Sequence, residues 1–253
     1  MSAANGDPSG ARDPARRVAF VTGAAGGLGR ATVALLRSRG LAVFATDLAL
    51  AAIPCTEPGF AAESLDVTDE AAVGARMAQA LGEFGRIDHV VHFAGRAGHG
   101  PLDAVSRADW QAVLDVNLTS AFLLAKAAHA ALARTRGTLT LVSSTNGLNG
   151  GSSLSGPAYA VAKAGLINLT RYLAKEWAGE GIRVNCLAPG PIDTPMVSDR
   201  FSPEVIAQLR SSVPLGLIGE PRHVAHAVGY LVSPDAAFVT GTVMNLSGGL
   251  VLD

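Results

Sequence analysis

The stretch RVAFVTGAAGGLGR, residues 17–30, decides the fold class of this chain. Its first part, residues 17–21, is a β-branched and aromatic run that predicts a buried strand. A glycine-rich turn follows at 22–29, and residues 30–39 predict an amphipathic helix. A strand, a glycine turn and a helix N-terminus form a cradle for a pyrophosphate, because backbone N–H groups can approach the ligand closely.

An acidic residue follows this unit at the place where a dinucleotide would need one. Residues 41–46 predict a second strand that ends in Asp47, about twenty residues beyond the glycines, where a carboxylate binds the ribose hydroxyls. The same carboxylate would repel the 2′-phosphate of NADP, and no basic residue stands in the turn or beside Asp47. NAD is therefore favoured over NADP. Arg37 and Arg39 are the nearby cations that could reverse this preference.

The rest of the chain alternates between predicted strands and helices. Further strands are predicted at 61–65, 87–93, 138–143, 182–188 and 243–246. Helices are predicted after a cap at Thr68 or Asp69, at 106–132 with an interruption, at 157–179 and at 223–232. Repeated β-α-β units indicate one α/β domain, residues 17–253, built as a Rossmann-type doubly wound parallel sheet of about seven strands.

Composition narrows the class further. Nearly half of the 253 residues are apolar and the net charge is −1, so a large core is expected and a nucleic-acid partner is not. No apolar stretch is expected to span a membrane. Residues 1–16 lack the apolar segment of a signal peptide and are predicted to be a disordered tail. Cys55 and Cys186 form no disulfide framework, so a cytoplasmic protein is expected.

Tyr159 and Lys163 stand four residues apart in an alanine-rich segment that favours helix. Residues at this spacing share one helix face. An ammonium close to a phenol favours the phenolate, which allows the pair to exchange protons near neutral pH. Ser144, at the end of the strand at 138–143, could polarise a carbonyl. The alternative interpretation is an ordinary half-buried tyrosine beside a solvated lysine.

These residues together resemble the compact branch of the short-chain dehydrogenase/reductase family, from Arg17 onward. Its Thr-Gly-x-x-x-Gly-x-Gly motif is matched by Thr22, Gly23, Gly27 and Gly29. Gly26 also satisfies the motif of the longer branch, but the chain has no room for that branch's substrate domain. Further matches are Asp66-Val67, Asn117 in a helix, Ser144, the Tyr159/Lys163 pair and the segment 189–196.

The resemblance implies hydride transfer between NAD and a secondary alcohol or ketone. Tyr159 would be the acid/base, Ser144 would stabilise the oxyanion, Lys163 would also bind the nicotinamide ribose, and Asn117 would relay the proton through water. The implied cofactor-binding residues are Gly23, Gly27, Leu28, Gly29, Asp47, Asp66, Val67, Ala94, Gly95, Tyr159, Lys163, Pro189, Gly190, Ile192 and Thr194. A homodimer or homotetramer is also implied, built on the helices at 110–132 and 159–179 and on the C-terminus.

Two features depart from the family pattern. His92-Phe93-Ala94-Gly95 replaces the common Asn-Asn-Ala-Gly, so the asparagines that brace the sheet edge are expected to be lost. The gap from Ser144 to Tyr159 is about two residues longer than usual. Placing the extra residues at 149–155 keeps Ser144 in register, with Ser143 as the alternative, and predicts a reshaped pocket wall.

The substrate is predicted to be a small-molecule alcohol or ketone with a hydrophobic body. Ser144, Leu154, Tyr159 and Met196 are the expected contacts, on a mostly apolar rim that also includes Leu148, Pro191, Val197 and Phe201. Residues 191–215 are expected to form a lid. The alternatives are an NADP-dependent 3-oxoacyl-thioester reductase and a non-catalytic dinucleotide-binding regulator.

Four further polar residues are candidate site residues. His99, in the glycine-rich loop at 96–100, could reach the mouth of the pocket or be an ordinary solvated loop histidine. His223 and His226 lie three residues apart on a predicted helix, but no third ligand is evident, so no metal is predicted. Arg96 follows Gly95 and could steer an anionic substrate group, or form a surface ion pair instead.

Overall fold

The computed structural model describes residues 16–49, 58–199 and 201–252. Its sheet has seven parallel strands in the order β3-β2-β1-β4-β5-β6-β7, which confirms the doubly wound prediction. The strands are β1 (Val18–Thr22), β2 (Ala42–Asp47), β3 (Phe60–Ser64), β4 (His89–His92), β5 (Thr138–Val142), β6 (Arg183–Pro189) and β7 (Val243–Leu246). The order reverses between β1 and β4, and open α/β sheets bind ligands at such a switch point.

Helices cover both faces of this sheet. They are α1 (Gly27–Ser38), α2 (Glu70–Phe84), α3 (Arg107–Leu114), α4 (Ser120–Thr135), α5 (Asn146–Asn149), α6 (Pro157–Trp177), α7 (Pro195–Ser198), α8 (Pro203–Ser212) and α9 (Pro221–Leu231). One apolar core joins the sheet to α2, α4 and α6, and a second joins it to α1 and α9. This double coverage explains why the central strands are apolar runs without alternation.

The structure changes one predicted helix start and adds the bounds of two helices. Helix α1 begins at Gly27, not at residue 30, because the N–H of Arg30 already donates to the Gly26 carbonyl (2.9 Å). Helices α7 and α8 lie in the proline-rich segment 191–215, which was predicted to be an amphipathic lid or an ordinary surface helix without stated bounds. Pro195 and Pro203 occupy first turns of helices, where a proline loses no hydrogen bond.

The predicted interruption between α3 and α4 is a π-helical turn at Asp115–Thr119, so the two helices run on without a break. The combined helix Arg107–Thr135 is long and apolar enough to span a membrane by length and composition alone, contrary to the expectation that no such stretch exists. Half of its most apolar window is buried in the protein, and α4 packs against the sheet core. Buried helices of a protein core can have this length and composition, and this helix is one of them.

Arg16, at the end of the predicted N-terminal tail, makes contacts with the folded domain. Its guanidinium donates to the carbonyls of Gly40 (2.8 Å) and Leu41 (3.2 Å). Residues 1–15 and Cys55 lie outside the described residues. Cys186 is buried in β6, and burial raises the pKa of its thiol to about 11, which keeps the thiol protonated and unreactive.

His92, at the end of β4, replaces the bracing that the sequence was expected to lose. Its Nδ1 lies 2.7 Å from Thr22 Oγ1 of β1, and its Nε2 lies 2.9 Å from Ser120 Oγ of α4. The Ser120 hydroxyl donates to the Val116 carbonyl, so it accepts from the Nε2–H, and Thr22 donates to Nδ1. Burial lowers the pKa of His92 to about 3, so the ring stays neutral and joins two strands to a helix.

We expect His92→Ala to lower the free energy of unfolding by roughly 2–4 kcal/mol at pH 7, because it leaves buried hydroxyls unpaired and opens a cavity. Urea denaturation would measure this loss. His226→Ala, at an exposed position of α9, is the matched control and should stay within about 0.5 kcal/mol of the parent protein. Equal stability of the two variants would contradict the bracing role.

Large apolar side chains are exposed on the helices expected to form subunit contacts. Phe122 on α4, Tyr172 on α6 and Leu252 at the C-terminus are 52%, 62% and 85% exposed. Their positions agree with the surfaces expected for self-association, and the homodimer or homotetramer stays a prediction.

Candidate active site

A cavity of about 240 Å³ opens at the carboxyl ends of β4, β5 and β6. Loops after these strands, helix α6 and the segment that carries α7 and α8 form its walls. Twelve predicted site residues line it: Leu28, Gly95, Asn117, Ser144, Leu154, Tyr159, Lys163, Pro189, Gly190, Ile192, Thr194 and Met196. The fold therefore brings the predicted catalytic residues and one half of the predicted cofactor site to the same place.

Tyr159 and Lys163 lie on one face of α6, as their spacing predicts. The Lys163 Nζ is 5.4 Å from the centre of the Tyr159 ring, and it donates to the Val142 carbonyl at the end of β5 (2.8 Å). Lys163 is buried, and this burial lowers the pKa of its ammonium to about 8. The lysine is therefore a fixed component of the cavity wall, which rules out the interpretation of a solvated helix residue.

The structure distinguishes the two serines at the end of β5. The Ser143 hydroxyl is buried and donates to the Lys163 carbonyl (2.6 Å), which ties β5 to α6. The Ser144 hydroxyl lines the cavity and accepts from the Asn146 N–H (3.2 Å). That contact uses a lone pair of Ser144 and leaves its O–H to donate elsewhere, as a carbonyl polariser requires. Both serines line the cavity, but only Ser144 keeps a proton free to donate, so its predicted role stays open to it while the Ser143 hydroxyl is used by the helix.

Asn117 sits in the π-helical turn, where the widened backbone points it toward the lysine. Its Nδ2 donates to the carbonyls of Val113 (2.9 Å) and Arg96 (2.8 Å), which fixes the orientation of the amide. Its Oδ1 is buried and has no donor among the described residues. A Cβ on Gly95 would lie 2.7 Å from this Oδ1 and 3.5 Å from the Lys163 Nζ. A glycine is thus required where the chain passes over both side chains.

The glycine motif forms the predicted cradle at the start of α1. Gly23 has φ +66°, and a Cβ there would collide with the backbone of Ala94 at 2.6 Å. A Cβ on Gly29 would meet the Gly23 carbonyl, and one on Gly27 would lie 2.9 Å from the Thr194 methyl group. No side chain caps α1, so the N–H groups of its first turn remain available to an anion. These features fit a dinucleotide pyrophosphate.

Acidic residues follow β2 and β3 at the same sheet edge. Both Asp47 oxygens are held by backbone, one by the Ala25 N–H (3.0 Å) and the other by the Ala49 N–H (3.2 Å), so the carboxylate stays beside the glycine turn. The Asp66 side chain accepts from Thr68, and this bond lowers the pKa of its carboxyl. Val67 next to it is buried.

The two cations that could have favoured NADP are held away from Asp47. The Arg37 guanidinium lies 4.5 Å above the ring of Phe60, the first residue of β3, whereas Asp47 pairs with the last residue of that strand. Arg39 donates to the Gly229 carbonyl of α9 (2.6 Å). Both arginines therefore serve packing at the opposite end of α1.

The substrate side of the cavity differs from the predicted rim in part. Leu154, Pro191, Met196, Val197 and Phe201 line it as expected, but Leu148 packs against the core instead. The sequence interpretation missed several lining residues: Phe93, Val142, Asn146, Ser152, Ser155, Leu209 and Leu250. Ser152 and Ser155 belong to the segment 149–155 where the extra residues were placed, so the longer gap before Tyr159 was a signal for them. No feature of the sequence indicated that Leu250 lies at the site.

The other candidate site residues lie outside this cavity. Arg96 is exposed, and neither it nor His99 lines the cavity. The His223 Nδ1 accepts from the Glu220 N–H (3.0 Å) and so caps α9, while His226 is exposed. Within residues 16–49, 58–199 and 201–252, no group of three or more potential metal ligands occurs.

Comparison with known proteins identifies the family of this chain. A family model described as "Enoyl-(Acyl carrier protein) reductase" matches residues 23–251. The chain belongs to the short-chain dehydrogenase/reductase family. It is therefore an oxidoreductase that acts on CH–OH or keto groups with a nicotinamide dinucleotide, a conclusion that its relatives support.

Three relatives cover nearly the whole chain. Cis-4-hydroxycyclohexanecarboxylate dehydrogenase of Sinomonas cyclohexanicum is 41% identical over 93% of this chain and 96% of its own. The BbsD subunit of (2S)-[(R)-hydroxy(phenyl)methyl]succinyl-CoA dehydrogenase of Thauera aromatica is 36% identical over 92% and 96%. The 3-oxoacyl-[acyl-carrier-protein] reductase of Thermotoga maritima is 34% identical over 93% and 98%.

The lowered pKa of Lys163 predicts a pH dependence of stability. Between about pH 8 and 10.5 the unfolded chain still binds the proton that the folded protein has lost, so stability rises with pH in this window. Relative to Lys163→Met, the parent protein should gain up to about 3 kcal/mol across it. Urea denaturation without cofactor at several pH values measures the difference. Because Lys163 and Cys186 influence each other's pKa, both proteins would carry Cys186→Ala. Parallel curves would contradict the assignment.

Proposed function

We propose that this protein interconverts a secondary alcohol and a ketone by hydride transfer with NAD. The observation that carries the proposal is the convergence of Asn117, Ser144, Tyr159 and Lys163 on one cavity that also contains Gly190 and Thr194. A base, an oxyanion donor and the predicted cofactor-contacting backbone, gathered in one cavity, are the groups that this reaction class requires.

In the oxidative direction, Tyr159 accepts the proton of the substrate hydroxyl. Bound NAD supplies the hydride acceptor. Ser144 donates a hydrogen bond to the substrate oxygen as the carbonyl forms, and the neighbouring Lys163 ammonium favours the phenolate of Tyr159. The Asn117 Oδ1, buried without a protein donor, would accept from the proton relay that returns Tyr159 to its starting state. Reduction of the ketone reverses these proton transfers.

The cofactor-binding assignments extend along the sheet edge beyond the cavity. Gly23, Gly27, Leu28 and Gly29 would bind the pyrophosphate, and Asp47 the adenosine ribose. Asp66 and Val67 would contact the adenine. Ala94, Gly95, Pro189 and Gly190 would bound the nicotinamide ribose, and Ile192 and Thr194 the carboxamide. The fixed Asp47 carboxylate and the remote contacts of Arg37 and Arg39 support NAD over NADP.

A 3-oxoacyl-thioester reductase is the second candidate, because several relatives at 34–35% identity carry that activity in their names. The cavity weakens it. Its volume of about 240 Å³ is smaller than the roughly 300–1,000 Å³ of ordinary ligand pockets. This volume includes the part beside Gly190 and Thr194 that the cofactor would occupy, so the cavity suits a small substrate. A non-catalytic regulator is disfavoured because the whole acid/base set lines the cavity.

Tyr159→Phe should reduce kcat by at least 10²-fold with NADH and a small cyclic ketone, because the proton donor is lost. NADH binding, followed by fluorescence titration, should persist because the phenol is not needed for it. Tyr172→Phe is the matched control, since Tyr172 lies exposed on the same helix and contacts Glu176. Loss of NADH binding in Tyr159→Phe would mean that the tyrosine is structural.

Asp47→Ser should lower the ratio of kcat/KM for NAD to that for NADP by about tenfold or more, because it removes the repulsion of the 2′-phosphate. Asp235→Asn, at an exposed position outside the predicted site, should leave the ratio unchanged. A parent protein that already prefers NADP would overturn the NAD assignment while leaving the reaction class intact.

A further inference from the structure

The cavity has two chemically different walls. The lid side is apolar and includes Pro191, Met196, Val197 and Phe201. The opposite side, which we call the polar shelf, consists of Asn146, Ser152 and Ser155. Ser152 and Ser155 lie in the segment 149–155, where the extra residues between Ser144 and Tyr159 were placed. The shelf is therefore separate from the proposed catalytic residues.

Asn146 provides the strongest hydrogen-bonding group on the shelf. Its backbone N–H donates to the Ser144 hydroxyl (3.2 Å), which places the residue directly beside the proposed reacting carbon. Its side-chain amide is half-buried and makes no hydrogen bond to the described residues. A primary amide offers two donors and one acceptor, so a half-buried one in a cavity wall is suited to bind a ligand oxygen.

The two serines extend this capacity. The Ser152 hydroxyl accepts from the Leu154 N–H (3.3 Å), so its own proton remains available. The Ser155 hydroxyl donates to the Ser152 carbonyl (3.1 Å) and keeps acceptor capacity. The backbone at Gly151 passes close to two of these side chains, since a Cβ there would lie 3.2 Å from both the Asn146 side chain and the Ser155 hydroxyl.

The shelf is held rigidly by its surroundings. The Gly100 N–H donates to the Ser153 carbonyl (2.9 Å), and the Asn149 side chain accepts from the Gly151 N–H (2.9 Å). A Cβ on Gly98 would lie 2.8 Å from the Ser155 carbonyl, so the loop after β4 supports the shelf from behind. A rigid polar site loses little entropy when it binds a ligand, which favours specificity.

The charge of the cavity limits what the shelf can bind. Among the described residues that line the cavity, Lys163 is the only charged side chain, and one of its three N–H donors is used by the Val142 carbonyl. Arg96, the predicted anion-steering residue, does not line the cavity. The amide and the two hydroxyls of the shelf carry no charge, so they offer a carboxylate only neutral hydrogen bonds in exchange for its lost hydration. The group bound by the shelf is therefore uncharged, unlike the carboxylate in the name of the Sinomonas relative.

We propose that the polar shelf binds a second, uncharged oxygen of the substrate. The substrate is then a small hydroxy-ketone, or the corresponding diol, whose reacting carbon faces Ser144 and Tyr159 while its second oxygen meets Asn146 and Ser152. Its hydrocarbon body packs against the apolar lid side. This inference rests on the proposed function and adds its substrate class.

Steady-state reduction by NADH would compare cyclohexanone with 2-, 3- and 4-hydroxycyclohexanone and with 4-oxocyclohexanecarboxylate. We expect at least one hydroxy-ketone to exceed cyclohexanone about tenfold in kcat/KM, mainly through KM, and the carboxylate to fall below cyclohexanone. In Asn146→Ala the ratio of hydroxy-ketone to cyclohexanone should fall toward one, and Ser152→Ala should lower it less. Ser153→Ala, an exposed loop serine outside the cavity, is the matched control and should keep the ratio.

Two results would overturn the shelf: no hydroxy-ketone exceeds cyclohexanone, or the preference persists in both Asn146→Ala and Ser152→Ala. If no ketone is reduced at all, the proposed function fails, and calorimetry with NADH present then tests the shelf separately. Cyclohexanediols that bind the parent protein more tightly than cyclohexanol, but not Asn146→Ala, would support it. Equal affinities would reject it.

Discussion

The buried Lys163 ammonium is the interaction on which the rest of the site depends. Its Nζ binds the Val142 carbonyl while its own carbonyl accepts from Ser143, so two hydrogen bonds join the end of β5 to α6. A buried charge is costly unless hydrogen bonds compensate it. Here the compensating bonds hold the chain just after β5, where Ser144 lies, against the helix that carries Tyr159. The same contact that stabilises the charge aligns the two proposed catalytic groups.

Close backbone approach extends this geometry along the sheet edge. Gly23, Gly29 and Gly95 stand where a Cβ would strike neighbouring atoms, so the loops after β1 and β4 meet without side chains between them. His92 braces the junction beneath by joining β1 and α4 through a neutral ring. A cofactor site built from backbone needs such support, because small loop displacements would misalign its N–H groups.

The longer segment between Ser144 and Tyr159 bears on the proposed substrate specificity and not on the proposed proton-transfer groups. Ser144 keeps its position because the extra residues after Asn149 form a separate loop that the Gly98–Gly100 backbone supports. That loop brings Ser152 and Ser155 beside Asn146, which creates polarity on one wall of an otherwise apolar cavity. Family members can therefore share the proton-transfer groups and still select different substrates through such loops.

The sequence by itself determined the strand and helix alternation, the glycine cradle with Asp47, and the residues of the acid/base set. These signals are local: they depend on spacing within one or two elements, and parallel strands bring their ends together by necessity. Only the tertiary structure showed that the Ser143 hydroxyl is used by α6 while the Ser144 proton stays free, and that Leu148 and Arg96 do not line the cavity. It also showed the two hydrogen bonds of His92 and the position of the polar shelf and Leu250 at the cavity. Those outcomes depend on contacts between segments distant in the chain, where packing and burial determine which hydroxyl or amide faces the cavity.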